Sequence, residues 1–228
     1  MAAAAAIADT ASAQTAEQNL AKCAGYDPDA SIAGCTALIQ SGRESGVTLA
    51  SRYYNRGNAY QSKGEVDRAI EDFTQAIRLN PDFSQAYGNR GNAYQDKGDR
   101  ARAAEFYDRA IADYDQAIRL NPVGVSAYLN RGTAYYAKGD NDRAIRDYDQ
   151  AIKLKSDDSI MFYLRGNARA EKGEVARAIE DYNEAIRLSP RFANPLYNRG
   201  VLKTQMGDAV GGAADIAQAK KLDPNLGK

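Results

Sequence analysis

The block Asn55-Arg56-Gly57-Asn58-Ala59-Tyr60 returns unchanged at 89–94, and close variants occupy 130–135, 164–169 and 198–203. Its glycines fall at 57, 91, 132, 166 and 200, spaced by 34, 41, 34 and 34 residues. A second block recurs out of phase. AIEDFTQAIRLNP at 69–81 has counterparts at 110–122, 144–156 and 178–190. A fixed period of this length marks a stack of like units, because one such unit cannot bury its apolar face alone.

Each repeat reads as a helical hairpin. Tyr53, Gly57 and Tyr60 share one face of a first helix by their spacing. Lys63-Gly64-Glu65 closes that helix, since Gly suits the left-handed residue at a helix end. The same Lys-Gly-acid signal recurs at 97–99, 138–140 and 172–174. The second helix carries Ala69, Phe73, Ala76 and Ile77, and Asn80-Pro81 stops it. Gly57 and Ala69 are small where the two helices cross, and the large aromatic four residues on fills the adjacent gap.

The 34-residue period, the aromatic–Gly–Tyr first helix, the Ala–aromatic–Ala second helix and the terminal Pro resemble the tetratricopeptide repeat over about three quarters of the chain. The resemblance implies an all-α, right-handed superhelical solenoid of helix-turn-helix repeats. Its concave groove would be lined by the first helices and used for protein–protein assembly. The repeats then divide as 50–83, 84–124, 125–158, 159–192 and 193–226, after a divergent capping hairpin at 16–49 and a signal-like or Ala-rich tail at 1–15. Four places depart from the pattern. Ser156 replaces the Pro of repeat 3, and Arg169 and Lys203 replace Tyr in repeats 4 and 5. Gly211-Gly212 opens the last helix at a cost of ~1 kcal/mol per Gly, so the last repeat should be the loosest.

Repeat 2 is longer by seven residues. Ala103, Tyr107, Ala110 and then Ala110, Tyr114, Ala117 repeat one motif with overlap. Seven residues keep an apolar stripe on one face. The insertion is therefore expected to lengthen the second helix alone, by about 10 Å, with no break at 108–112. It is either a tolerated duplication or a ledge for a partner.

The chain has two cysteines, Cys23 and Cys35, and no His. That combination fits no zinc pattern. A disulfide stapling the capping hairpin is expected over two buried thiols or a redox pair. SIAGCTALIQSG aligns with the second-helix block if Cys35 takes the aromatic position, with Ile32, Leu38 and Ile39 beside it. Residues 1–21 hold no Lys or Arg, and Ala11-Ser12-Ala13 has the small-x-small form of a signal-peptidase site. The segment reads as the end of a secretory signal, or as an Ala-rich tail. A periplasmic or secreted location follows from the first reading, where disulfides persist, and a cytoplasmic one from the second.

Every repeat carries an Arg and, in all but repeat 2, an Asp sixteen residues later. The pairs are Arg56 with Asp72, Arg131 with Asp147, Arg165 with Asp181 and Arg199 with Asp215. In repeat 2 the insertion stretches the pair to Arg90 and Asp113. The Arg line could grip a ligand, but an acid recurring with it points to ion pairs bridging the two helices.

The family resemblance implies a peptide-binding groove at Tyr54, Asn55, Asn58, Gln61, Asn89, Asn92, Gln95, Asn130, Tyr136, Tyr163, Asn167, Tyr197 and Asn198. Positions where some relatives hold an acidic chain end with cations are here Tyr54, Gly88, Leu129 and Tyr163. An extended, neutral peptide or partner protein is expected instead, held by amide hydrogen bonds and flat aromatic contact. Self-assembly through the C-terminal end of the solenoid is the alternative. Lys+Arg and Asp+Glu each number 30, which argues against a nucleic-acid partner. Without His, a phosphate loop or a nucleophile–base pattern, no catalysis, cofactor or metal is expected.

Overall fold

The computed structural model describes residues 15–101 and 103–227, so the signal-like segment largely lies outside them. Among the described residues there are twelve helices and no strand. They form two compact bodies, divided between Pro122 and Val123.

The first body begins with a helix covering 15–23 (α1) and continues with α2 (Pro28–Gln40), α3 (Gly46–Ser62), α4 (Val66–Leu79), α5 (Ser84–Ala101) and α6 (Ala104–Leu120). Asp27 caps α2, its carboxylate accepting from the Ala30 N–H at 3.2 Å, and Pro28 follows at a position where no N–H is needed. Cys23 and Cys35 form a disulfide, and both are buried with Leu38. The buried face of α2 is Ser31, Gly34, Cys35 and Leu38. Ile32 and Ile39, expected on that face, are only half-buried. Gly34 explains the difference: a Cβ there would lie 2.6 Å from the Asn19 carbonyl oxygen, so α1 crosses α2 backbone to backbone.

Helix α3 starts at Gly46, four residues before the expected repeat boundary at 50. From α3 onward the crossing is built on a glycine and an aromatic ring. A Cβ on Gly57 would fall 2.7 Å from Phe73 Cε1, and one on Gly91 2.7 Å from Tyr114 Cε1. Phe73 and Tyr114 are fully buried. Burying each such ring contributes on the order of 2–3 kcal/mol.

The insertion does not lengthen α6 alone. Helix α6 has 17 residues against 14 in α4, and α5 has 18. The Lys97-Gly98-Asp99 signal fails to end α5, and Gly98 sits buried inside the helix. A Cβ on Gly98 would meet Tyr107 Cε1 at 3.2 Å. Gly98 is seven residues after Gly91, and Tyr107 seven before Tyr114, so the glycine–aromatic contact repeats one heptad further along the antiparallel pair. That second contact draws both helices onward, so that α5 runs to Ala101 and α6 begins at Ala104. Helix α6 is continuous through 108–112.

The second body comprises α7 (Val125–Ala137), α8 (Asn141–Leu154), α9 (Ser159–Glu171), α10 (Val175–Leu188), α11 (Ala193–Gln205) and α12 (Ala209–Leu222). Gly139 has φ +80°, and the Asp140 N–H reaches back to the Tyr135 carbonyl at 2.9 Å, closing α7 in a left-handed cap. Gly173 and Gly207 do the same for α9 and α11. Gly132 packs on Tyr148 and Gly166 on Tyr182. In the last hairpin Ile216 replaces the ring and Gly212 replaces the Ala. A Cβ on Gly212 would lie 2.6 Å from the Gly200 carbonyl oxygen, so glycine faces glycine at that crossing.

Candidate protein-binding face

The arginine of each repeat reaches the second helix of its own hairpin. Arg56 Nε and Nη2 donate to Asp72 at 2.8 and 2.9 Å. Arg90 meets Asp113 at 2.8 and 2.7 Å, Arg131 meets Asp147 at 2.8 and 2.7 Å, and Arg199 meets Asp215 at 2.8 and 2.7 Å. Arg165 holds Asp181 at 2.6 Å. All five aspartates are buried. The bond to Asp72 holds the Arg56 guanidinium above its ordinary range.

The third guanidinium nitrogen has a use that sequence reasoning missed. Nη1 of Arg56, Arg90, Arg165 and Arg199 donates to Thr36, Thr74, Asp149 and Asn183, on the second helix of the preceding hairpin. One arginine thus clamps two hairpins. The signal was present: the residue two after the repeat Asp is Thr, Asp or Asn in the first four repeats, as in Asp72-Phe73-Thr74 and Asp181-Tyr182-Asn183, and Ala217 only in the last.

The departures at Arg169 and Lys203 join the same pairs. Arg169 Nη1 donates to Asp181 at 2.9 Å, and Lys203 Nζ lies 2.9 Å from Asp215. In the earlier repeats this position is Tyr60 or Tyr135, with Arg68 and Arg143 stacked over the rings. The last two repeats therefore trade a ring for a second cation on the buried carboxylate. Burial pushes Asp215 up, but Arg199 and Lys203 outweigh it and hold it below its ordinary value.

On the opposite face the expected groove residues form a ladder of amides and phenols. In the first body, Asn89 Nδ2 donates to Asn58 Oδ1 at 2.7 Å and to the Tyr54 hydroxyl at 3.1 Å. The Tyr54 ring packs on Phe73 and Phe83 at 5.9 and 4.7 Å between centroids. The Tyr114 hydroxyl donates to Asn92 Oδ1 at 2.8 Å and lies 3.2 Å from Gln95 Oε1. Gln61 reaches Asp96 at 3.5 Å. Asn55 and Asn58 border a cleft of about 270 Å³ with Cys23, Tyr26, Pro28 and Ser62.

The second body repeats this arrangement 109 residues later. Asn198 Nδ2 donates to Asn167 Oδ1 at 2.9 Å, and the Tyr182 hydroxyl donates to the same oxygen at 2.8 Å. Tyr163 packs on Tyr182 and Phe192 at 6.2 and 5.0 Å. Tyr136 and Tyr163 line a cleft of about 360 Å³ with Asn167 and Asn198. In repeat 3 the ladder is thinner, with Leu129 at the Tyr position and Thr133 taking the Tyr148 hydroxyl at 3.4 Å. Asn130 stands half-buried on α7. Tyr197 is partly covered by the chain itself: a Cβ on Gly227 would come 2.5 Å from its hydroxyl.

Four of the expected groove residues, Asn58, Asn89, Asn167 and Asn198, thus hold neighbouring repeats together, and Asn92 ties the two helices of its own hairpin. Their side chains stay half-buried, so the face they build is a rigid floor of fixed amides with Tyr rings set into it. No group of residues with metal-binding composition occurs among the described residues, and no helix there is long and apolar enough to cross a membrane.

The geometry defines an all-α helical-repeat protein built of hairpins with one amide-lined face. The tetratricopeptide repeat pattern matches residues 50–83, 96–159 and 129–193, together more than half of the chain. The chain belongs to the tetratricopeptide repeat family, whose members are generally non-catalytic protein-interaction scaffolds. Comparison with curated protein sequences finds no match. Among solved structures, MamA from Desulfovibrio magneticus RS-1 is 18% identical with a TM-score of 0.70, covering 78% of this chain and 97% of that one. YrrB, described as a TPR protein with an unusual peptide-binding site, is 21% identical with a TM-score of 0.68, covering 84% and 93%. A tetratricopeptide repeat protein from Parabacteroides merdae is 23% identical with a TM-score of 0.59, covering 87% and 73%. At these identities the likeness is one of fold.

Proposed function

We propose that the chain holds extended peptide of a partner protein against the first-helix face of each of its two bodies. The observation that carries this reading is the duplicated Tyr–Asn–Asn arrangement, Tyr54/Asn58/Asn89 and Tyr163/Asn167/Asn198. An extended backbone needs donors and acceptors at fixed places, and amides already locked by their neighbours lose little freedom on binding. The positions at which cations would grip an acidic chain end are Tyr54, Gly88, Leu129 and Tyr163, so a free carboxylate is not the recognised group. The zero net charge favours a protein partner over nucleic acid.

Photo-crosslinking tests the reading. Benzoylphenylalanine at Asn55, on the α3 face, should capture partner protein from the native compartment. The same probe at Glu71, exposed on α4, should not. Capture from Glu71 with none from Asn55 would contradict it.

A second reading is self-association through α12. Val210 is 85% exposed, and Ala213, Ala214 and Ala217 share its side of the helix and are exposed. Light scattering across concentration decides it, because a mass that stays monomeric removes it.

The disulfide supports an oxidising compartment, periplasmic or extracellular. Thiol alkylation and mass spectrometry of freshly isolated protein test this, and two free thiols would overturn it.

A further inference from the structure

The two copies of the Tyr–Asn–Asn arrangement differ in charge. The second-body cleft of about 360 Å³ is lined by Tyr136, Tyr163, Tyr182, Asn167, Asn198 and Glu171, with smaller residues between them. Glu171 is its one charged lining residue, and no Lys or Arg lines it. The carboxylate is exposed and makes no ion pair or hydrogen bond among the described residues. Its neighbours in the sequence do otherwise: Glu174 pairs with Lys172 and Glu184 with Arg187. The position 109 residues before Glu171 is Ser62, so the first-body copy lacks the carboxylate.

We propose that this cleft is a subsite for one cationic side chain, Arg or Lys, of the peptide held along the face. The inference rests on the peptide-holding reading and gives it a chemical preference. Aromatic ring faces attract a cation, and a carboxylate beside them adds a direct charge partner. The apolar stem of Arg or Lys lies along ring surface while its head reaches the charge. The cleft is of a size that takes a side chain of this length. An acidic side chain would meet Glu171 with no cation to offset it. The Tyr136 phenol is held above its ordinary pKa by burial and then by Glu171 and Tyr163, so it stays protonated beside the carboxylate.

The test is a titration of the isotope-labelled full chain, followed by amide NMR shifts. The probes are four pentapeptides, acetyl-Gly-Asn-X-Asn-Gly-amide, with X as Arg, Lys, citrulline or Glu. Citrulline keeps the shape of Arg without its charge. The Arg and Lys peptides should shift the amides of Tyr136, Asn167, Glu171 and Asn198 in a saturable way, with the citrulline peptide at least about fivefold weaker. Glu171→Gln, at an exposed position without an ion pair among the described residues, should weaken the Arg peptide by a similar factor. Equal binding of Arg and citrulline, an unchanged affinity in Glu171→Gln, or no shift at these amides would overturn the proposal. Equal binding of all four peptides at this cleft would overturn the charge preference while leaving the peptide-holding reading in place. That reading fails separately, through the crosslinks from Asn55.

Discussion

The Tyr182 hydroxyl donates to Asn167 Oδ1 at 2.8 Å, and Asn198 of the next hairpin donates to the same oxygen at 2.9 Å. One amide oxygen therefore joins a buried ring, two successive repeats and the exposed face. The residues that shape the face are, in part, those that hold the stack together. Selectivity must then come from side chains outside the ladder, such as Asn55, Tyr136 and Glu171.

Replacing Asn167 with Ala removes the acceptor of two donors, one of them on a buried Tyr. Leaving such groups unpaired costs about 1–3 kcal/mol. A fall of that size in urea-unfolding stability is the expected result. Asn55→Ala, at a position outside the ladder, should leave the midpoint unchanged within error.

Two glycines should respond oppositely to the same change. A Cβ on Gly88 meets nothing within 4 Å, so Gly88→Ala should stabilise the chain by roughly 0.5–1 kcal/mol through the backbone entropy of the unfolded state. A Cβ on Gly212 would press on the Gly200 carbonyl, and Gly212→Ala should destabilise by about 1–3 kcal/mol despite the better helix propensity. Urea midpoints of the two variants, compared with the parent, check both signs.

Arg56→Leu strands Asp72, whose side chain is 6% exposed, and cuts the link to Thr36. Removing one partner of a buried pair costs about 3–5 kcal/mol. The double variant Arg56→Leu/Asp72→Leu should recover most of that loss, because no uncompensated charge remains. Equal loss in single and double variants would show that the arginine acts through packing rather than charge.

Alkaline pH should unfold the protein in a defined window. Burial pushes the Tyr148 phenol from 10.0 up to about 12 and also raises Tyr114 and Tyr182. A raised pKa in the folded state means that the folded chain keeps protons which the unfolded chain loses. The stabilisation is thus complete below pH 10 and is lost as pH rises toward 12. Phenolate absorbance and helical circular dichroism should change together across that interval, with the buried tyrosines ionising only as the helices melt.

Much of this was legible in the residues. The hairpins, the glycine–aromatic crossings and the partners of Arg56 or Arg131 follow from spacing, because each contact lies within one repeat and recurs. The shared lengthening of α5 and α6 was not. The heptad in Ala103–Ala117 shows that a stripe is preserved, but not which helix absorbs it. The decision lies in Gly98 meeting Tyr107, a contact that converts a turn glycine into a crossing glycine. The ladder was half visible. Spacing places Asn89 and Asn167 each on one face of its own first helix, while their bonds to neighbouring hairpins depend on how closely the hairpins stack. Nothing near Tyr197 in the sequence signals that residue 227 folds back over it.

The most direct measurement of the central claim is hydrogen–deuterium exchange of the chain with and without the partner captured through Asn55. Slowed exchange is expected on the first helices, α3 and α5 in one body and α9 and α11 in the other, with α4 and α10 unchanged. Protection confined to α12, or to α4 and α10, would contradict it.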